Sequence, residues 1–184
     1  MNYVILKEMS CKCFNKKAAF KDTHTFAQKY EISKCVCKAR FCAIENRSKF
    51  TIDSKDIANV DKIKIDGYLD SSFEHKKCDY LFVYKDVEKS NKQYIFVELK
   101  GENITDAVKQ IENTINIFIH NGYLRKDRVI GAIVNSRNPS NDGSYRKAKL
   151  QLEKKMSTKL KGFRIEKEYK TMTYDPINDK VIKK

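Results

Sequence analysis

The chain has 184 residues, of which 41% are hydrophobic and 34% are charged, and its formal net charge is +14. A chain of this length and composition can bury its own core, which excludes global disorder. It has neither the roughly 18–20-residue apolar run of a transmembrane helix nor the charged start and long apolar core of a signal peptide. We therefore expect one cytoplasmic domain over residues 1–184, with no membrane partner.

The N-terminal fifty residues are basic, with eleven Lys or Arg against four acids, and helices are predicted near Thr25–Tyr30 and Cys37–Glu45. Five of the six cysteines lie here, two pairs of them in C-x-C motifs, with a histidine between: Cys11, Cys13, Cys35, Cys37, Cys42 and His24. Thiolates and an imidazole could bind a structural Zn²⁺. Reduced, buried thiols are the interpretation we favour, because C-x-C is a weaker signature than C-x-x-C.

Three strands are predicted next. Lys62–Leu69 alternates lysine with isoleucine and is typical of a half-exposed strand, whereas Cys78–Tyr84 is continuously apolar and indicates burial on both faces. Tyr94–Lys100 follows after a polar loop. Its residues Ile95, Val97 and Leu99 should share one face of the sheet, and Glu98 and Lys100 the other.

A helix is predicted from about Ile104 to Asn121, capped by Asn103 or Thr105 and ended by Gly122. Its apolar stripe consists of Ile104, Val108, Ile111, Ile115 and Phe118. Arg128–Asn135 is predicted to be a fourth strand. Three strands, a helical crossover and a parallel strand give an α/β fold with a mixed central sheet and helices on its faces.

The C-terminal part is predicted to contain a basic helix near Ser144–Lys159, a strand at Phe163–Tyr169 and a hairpin within Met172–Ile182. Residues 144–170 carry ten Lys or Arg against three acids, whereas residues 51–143 carry fourteen against fifteen. Basic flanks around a neutral centre suit a polyanion held over an acidic pocket, with a Lys-rich surface kept for solubility as the alternative. The helical candidates for phosphate contacts are Arg146, Lys147, Lys149, Lys154 and Lys155.

The end of the third predicted strand carries opposite charges, Glu98 and Lys100, which alone could form an ordinary salt bridge. A hairpin would bring Asp79, at the start of the preceding strand, to the same edge of the sheet. Two carboxylates with few other protein ligands suit Mg²⁺, and a nearby ammonium could stabilise charge on an attacked phosphate. We therefore expect a phosphate-directed magnesium site, in which Mn²⁺ could replace Mg²⁺.

Asp79, followed by Glu98-Leu99-Lys100 at the end of the next strand, resembles the PD-(D/E)xK motif of restriction-endonuclease-like nucleases. The resemblance covers about residues 40–135, and the predicted order of elements is similar to the family's αβββαβ core, here with an N-terminal extension and a C-terminal hairpin. Cys78 stands where the motif has proline. The resemblance implies that Asp79, Glu98 and the Leu99 carbonyl bind Mg²⁺, and that Lys100 positions the attacking water.

The resemblance also implies roles for residues outside the motif. Many relatives add a glutamate from the first helix, for which Glu45 is the choice and Glu31 the weaker one, although a solvent-facing Glu45 is the alternative. Gln110 corresponds to a glutamine with which RecB-like relatives reach the active site; otherwise it would be exposed. Asp66, beside Gly67, either forms a turn or supports the metal site.

The expected function is therefore metal-dependent hydrolysis of phosphodiester bonds, and a DNA endonuclease of restriction, repair, mobile-element or phage-defence type is favoured. A catalytically silent nucleic-acid-binding module and an RNA- or junction-directed nuclease stay open as alternatives. The expected partner is nucleic acid, and a second copy of the chain or another subunit is a further option. No Gly-rich phosphate loop that would indicate ATP use is present.

Overall fold

The computed structural model describes residues 41–45, 47–54, 59–66, 76–86, 91–100, 103–136 and 143–182. Within these ranges lie nine strands and two helices. The strands are β1 (Cys42–Glu45), β2 (Ser48–Ile52), β3 (Val60–Lys64), β4 (Tyr80–Asp86), β5 (Asn91–Lys100), β6 (Arg128–Asn135), β7 (Lys161–Tyr169), β8 (Thr171–Asp175) and β9 (Lys180–Ile182). The helices are α1 (Ile104–His120) and α2 (Gly143–Ser157).

Strands β3 to β7 form one mixed sheet in the order of the sequence. β3, β4 and β5 are antiparallel neighbours, and β6 and β7 then add in parallel. Each parallel step follows a helix, because a parallel return needs a crossover connection. The predicted α/β class, the three-strand meander and the helical crossover to Arg128–Asn135 are thus confirmed.

The remaining four strands form a second sheet in the order β1-β2-β8-β9, which the sequence analysis did not predict. β2 pairs in parallel with β8, and β8 and β9 form the predicted C-terminal hairpin. The prediction of a helix ending at Glu45 is wrong for Cys42–Glu45, which is β1. The buried Ala43 and the exposed Ile44 alternate as strand residues do, and a turn with Arg47 at φ 68° leads into β2.

The five-stranded sheet lies between two apolar layers. Its Tyr94 and Phe96 pack with α1 and α2, whereas Ile95, Val97 and Leu99 pack with residues of the second sheet. In the described part of the chain both helices lie on one face of this sheet, and the second sheet covers the other face, whereas helices were expected on the faces of the sheet. Aromatic rings connect the layers on both sides: the Phe96 and Phe118 centroids are 5.2 Å apart, and those of Phe50 and Phe82 are 5.1 Å apart.

Helix α1 follows its sequence pattern closely. All five residues of the predicted apolar stripe are buried. Of the two proposed N-caps the structure uses Asn103, whose Oδ1 accepts a hydrogen bond from the Asp106 N–H at 3.1 Å. Gly122 follows the helix with φ 74°, a conformation that glycine adopts without strain. The helix is thus fixed at both ends and along its buried face.

The strand boundaries differ from the prediction at two places that matter for the site. β4 begins at Tyr80, so Cys78 and Asp79 precede the strand, and β5 begins at Asn91 within the predicted loop. β3 begins two residues before the predicted strand, and the end of that prediction lies outside the described residues.

Neither described helix is long and apolar enough to cross a membrane.

Candidate active site

Asp79 lies beside the end of β5 because β4 and β5 are antiparallel, with Tyr80 opposite Val97. The backbone N–H of Leu99 donates to Asp79 Oδ2 at 2.7 Å. This bond fixes the Asp79 carboxylate at the point where β5 presents Glu98 and Lys100. The structure therefore brings together the three charged residues of the predicted motif.

Lys100 is held by two acceptors on different elements. Its Nζ lies 3.2 Å from Glu98 Oε1 and donates to Gln110 Oε1 on α1 at 2.5 Å. Gln110 is buried, so the interpretation of it as a solvent-exposed residue is wrong. Two such acceptors restrict a flexible lysine side chain to one position. A group that acts on a reacting phosphate has to be positioned in this way.

The same flank of α1 also holds the segment that carries Asp79. Gln110 Nε2 donates to the Lys77 carbonyl at 2.9 Å, and Asn113 Nδ2 donates to the Lys76 carbonyl at 3.2 Å. Thr114 Oγ1 accepts from the Cys78 N–H at 2.9 Å and donates to the Gln110 carbonyl at 2.8 Å. One helix thus positions both the lysine and the approach to the aspartate.

Cys78 stands where the motif that the sequence resembles has proline, and its N–H makes a contact that proline could not make. Proline has no N–H and could not donate to Thr114. The buried Cys78 makes that bond, which ties the start of β4 to the helix. This bond holds the residue next to Asp79 against α1.

Burial and mutual repulsion disfavour the charged forms of the two carboxylates. Burial, followed by the charge of Asp79, raises the pKa of Glu98 to about 8, against the lowering effect of Lys100. Burial also raises the pKa of Asp79 to about 6, with Glu45 and Asp66 adding to the shift and the Leu99 N–H opposing it. When both carboxylates are ionised, the cluster has more negative charge than Lys100 neutralises.

A cation is the natural complement of this cluster. Glu98 is 2% exposed, and its Oε2 is buried without a hydrogen-bond partner among the described residues. Such an oxygen is costly unless a ligand occupies it. Within the described ranges no group of three or more His, Cys, Asp or Glu side chains is arranged to bind a metal. Two carboxylates are a donor set that a hard ion such as Mg²⁺, which keeps several waters, could use.

Glu45 and Asp66 both lie within electrostatic reach of Asp79, and Glu45 does so from β1 rather than from a helix. The backbone N–H groups of Ile65 and Asp66 donate to the Asp79 carbonyl at 2.8 and 3.4 Å. Asp66 itself lies in a turn after β3. The turn is therefore observed, and both acids remain candidates for supporting a metal.

For the metal-dependent DNA cleavage that the sequence predicts, Glu45→Gln should raise the Mg²⁺ concentration needed for half-maximal activity by about three- to tenfold, because ligand charge sets affinity for hard cations. Mn²⁺ should restore part of the loss, and DNA binding in Ca²⁺ should change little. Metal titrations of cleavage test this against Asp53→Asn, an exposed acid at the end of β2. An unaltered Glu45→Gln titration beside a strongly shifted Asp66→Asn titration would assign the support to Asp66 instead.

The sequence analysis missed several polar residues around the site. Lys64 and Tyr80 lie beside Glu45 and Asp79: burial lowers the pKa of Lys64, but Tyr80, Glu45 and Asp79 outweigh it and raise that pKa. The signal for Lys64 was the alternation in β3, which puts it on one face with Lys62. The signal for Thr114 was its place four residues after Gln110 on the flank of an apolar helix.

The five basic candidates lie on α2, and some of them form ion pairs with other residues of the protein. Lys149 lies 3.7 Å from Glu153, and Lys155 lies 2.6 Å from Glu112 on α1. Lys147 and Lys154 are exposed and, seven residues apart, share one face of the helix. Arg146 is also exposed. Ser144 at the start of α2 lies 3.1 Å from Thr105 at the start of α1, so the N-terminal end of α2 is near the site.

The remaining predicted features of the N-terminal part lie outside the described residues. They are the helix near Thr25–Tyr30, Glu31, His24 and the cysteines Cys11, Cys13, Cys35 and Cys37. The two described cysteines are free: Cys42 is partly exposed and Cys78 is buried.

Comparison with known proteins gave no match: no family model fits the chain, and neither the curated proteins nor the solved structures contain a significant relative.

Proposed function

We propose that the chain is a Mg²⁺-dependent nuclease that hydrolyses phosphodiester bonds, with DNA as its substrate. The observation that carries the proposal is the position of Lys100 Nζ between Glu98 Oε1 and Gln110 Oε1, next to the anchored carboxylate of Asp79. A lysine held in this way beside two carboxylates suits phosphoryl chemistry, and a buried ion pair is weak evidence for a purely stabilising role because desolvation offsets its attraction.

Asp79, Glu98 and the carbonyl of Leu99 would hold the metal ion. A bound Mg²⁺ would polarise the phosphate oxygens and lower the pKa of a coordinated water. Lys100 would orient the attacking water and stabilise negative charge on the attacked phosphate. Gln110 would act as a positioning residue, because its side chain contacts Lys100 and the Lys77 carbonyl rather than the reacting atoms.

Two features support nucleic acid as the substrate class. The net charge of +14 favours association with a polyanion, and α2 carries exposed lysines, Lys147 and Lys154, with no ion pair to any described residue. A carboxylate pair that binds a metal ion, together with one ammonium group, is sufficient to hydrolyse a phosphodiester. The resemblance of Asp79 and Glu98-Leu99-Lys100 to the nuclease motif points the same way.

The purified full chain should cleave DNA in Mg²⁺ or Mn²⁺ and become inactive in excess EDTA. The assay uses linear, nicked and branched duplexes, single-stranded DNA and RNA, so that the preferred substrate emerges from one experiment. Binding of DNA in Ca²⁺ without cleavage of any substrate, and with no Mg²⁺ bound in calorimetry, would favour a silent nucleic-acid-binding module and overturn the proposal.

Neutralisation of Lys147 and Lys154 together should weaken DNA binding and flatten its salt dependence, by about 0.9 in log–log slope for each phosphate that the protein no longer neutralises. Equilibrium binding in Ca²⁺ at several salt concentrations measures the slope. Lys149→Gln/Lys155→Gln is the matched control, because it removes the same charge from lysines already paired with Glu153 and Glu112. Equal slopes for wild type and the Lys147/Lys154 variant would mean that this face of α2 does not contact DNA.

A further inference from the structure

The edge of the five-stranded sheet opposite the candidate active site holds a separate polar cavity of about 460 Å³. It is lined by the end of β4, the first residues of β5, β6 and β7, and the turn of the β8–β9 hairpin. Gln93, Arg128 and Lys161 form one row across three strands, with Gln93 opposite Arg128 and Arg128 opposite Lys161. Gln93 precedes Glu98 by five strand residues, so roughly 16 Å separate the cavity from the candidate active site.

Three ammonium groups in the cavity wall have no counterion in the described part of the chain. They belong to Lys92, Lys126 and Lys161, which are all exposed. Arg128 differs, because it pairs with Asp179. The wall also contains two carboxylates, Asp86 and Asp127, so the three ammonium groups exceed the carboxylates by one. A cavity of this charge favours an anionic ligand.

The loop that brings Lys126 to the cavity is held in an unusual conformation. Lys126 has φ 51°, which is uncommon for a residue with a side chain and marks a position fixed by its surroundings. Asp127 supplies the constraint: its Oδ2 accepts from the Arg125 N–H at 2.5 Å, and its carbonyl accepts from the Lys161 N–H at 3.0 Å. Lys126 and Lys161 are therefore tied together by backbone contacts through Asp127.

Gln93, which lines the cavity, has a buried acceptor without a partner among the described residues. Gln93 is 4% exposed, and its Nε2 donates to Tyr174 Oη at 2.7 Å and to Asp179 Oδ1 at 3.0 Å. Because the amide nitrogen faces a carboxylate, the orientation of the amide is fixed, and Gln93 Oε1 is left buried without a partner among the described residues. An acceptor of this kind calls for a ligand with an O–H or N–H donor.

We propose that this cavity binds a small phosphate monoester of the nucleoside monophosphate class. The phosphate would bind between Lys92, Lys126 and Lys161, and a hydroxyl or N–H of the ligand would donate to Gln93 Oε1. The volume lies within the roughly 300–1,000 Å³ of small-molecule sites. The same chemistry is offered by a free nucleotide and by the 5′-phosphorylated end of a strand. The proposal stands independently of the nuclease proposal.

Calorimetry on the full chain in EDTA tests the site with adenosine 5′-monophosphate, adenosine and inorganic phosphate as probes. The monophosphate should bind at least about tenfold more tightly than adenosine, which lacks the anion, and than inorganic phosphate, which lacks the nucleoside's donor groups. Lys92→Gln/Lys161→Gln should lower the affinity for the monophosphate by about tenfold or more. Lys126 is left unchanged because of its backbone conformation.

Lys49→Gln/Lys109→Gln, which removes two exposed lysines elsewhere, should bind the monophosphate as wild type does. Oligonucleotides with 5′-phosphate or 5′-hydroxyl ends then distinguish a free nucleotide from a strand end as the ligand. A site for strand ends would bind the 5′-phosphorylated oligonucleotide more tightly than the free nucleotide. No binding of the monophosphate at millimolar concentration, equal affinity for inorganic phosphate, or equal loss in both double variants would overturn the proposal. Asp79→Asn should leave this binding intact, so its outcome does not depend on whether the chain cleaves DNA.

Discussion

Replacement of Lys100 by methionine should lower the rate of DNA cleavage at saturating Mg²⁺ by about 10²–10³-fold, the usual effect of removing one preorganised charge from a transition state. Methionine keeps most of the aliphatic stem but removes the ammonium that contacts Glu98 and Gln110. Because both carboxylates stay in place, metal binding should persist. Single-turnover cleavage, with calorimetry for Mg²⁺, separates the two effects.

Asp79→Asn and Glu98→Gln should lose both cleavage and metal binding, since they remove the charge that would hold the ion. Gln110→Met should reduce the rate less than Lys100→Met, because it releases Lys100 without removing it. Lys109→Met, an exposed neighbour on α1, is the matched control and should cleave as wild type does. Wild-type cleavage by Lys100→Met would refute the role of Lys100 in the chemical step.

The elements of the five-stranded sheet could be predicted from the sequence because their signals are local. Continuous burial in β4, the apolar stripe of α1 and its Asn103 cap each depend on residues close together in the chain. The convergence of Asp79 with Glu98 followed from a simple hairpin. Local patterns of this type fix the element and its orientation without reference to distant residues.

The second sheet could not be predicted because its pairing joins distant parts of the chain. Phe50 in β2 lies opposite Met172 in β8, and both belong to the apolar layer that covers Val97 and Leu99. A strand of four or five residues such as β1 gives little periodicity of its own, so packing decides its conformation. This long-range pairing is also what brings Glu45 near Asp79, on a strand instead of the expected helix.

Gln110 shows why the polar contacts of the site were harder to predict than its charged residues. An amide side chain on the flank of a helix can be exposed to solvent or buried in the interior. Only the packing of α1 on the residues at the start of β4 decides which of the two applies to Gln110. The structure buries it against Lys100 and Lys77. The buried acceptor of Gln93, at the opposite edge, has no sequence signal because it depends on the β8–β9 hairpin.

In the absence of metal, the protein should become less stable as the pH rises from about 4.5 to about 8. The folded state raises the pKa of Glu98 from 4.5 to about 8, mainly through burial, and that of Asp79 from 3.8 to about 6. Between these values the unfolded chain has lost protons that the folded chain still binds. The stability is therefore fully present below pH 4.5 for Glu98 and below pH 3.8 for Asp79, and it is lost as the pH rises through each folded pKa. For Glu98 alone the loss should be on the order of 5 kcal/mol, at about 1.4 kcal/mol for each pKa unit.

Glu98→Gln tests this argument because it keeps the size of the side chain and removes the titrating group. The metal-free variant should be more stable than wild type at pH 8, and its stability should depend less on pH between 4.5 and 8. Chemical denaturation in EDTA at several pH values measures both, with Glu112→Gln on α1 as the control. Mg²⁺ at pH 8 should stabilise wild type but not Glu98→Gln, since only the ionised carboxylate offers the ion a charge. Two results would contradict the argument: a wild-type stability in EDTA that does not change with pH, or the same pH dependence in Glu98→Gln. Either would mean that Glu98 is already charged and compensated in the folded protein. The electrostatic case for a cation at this site would then be lost.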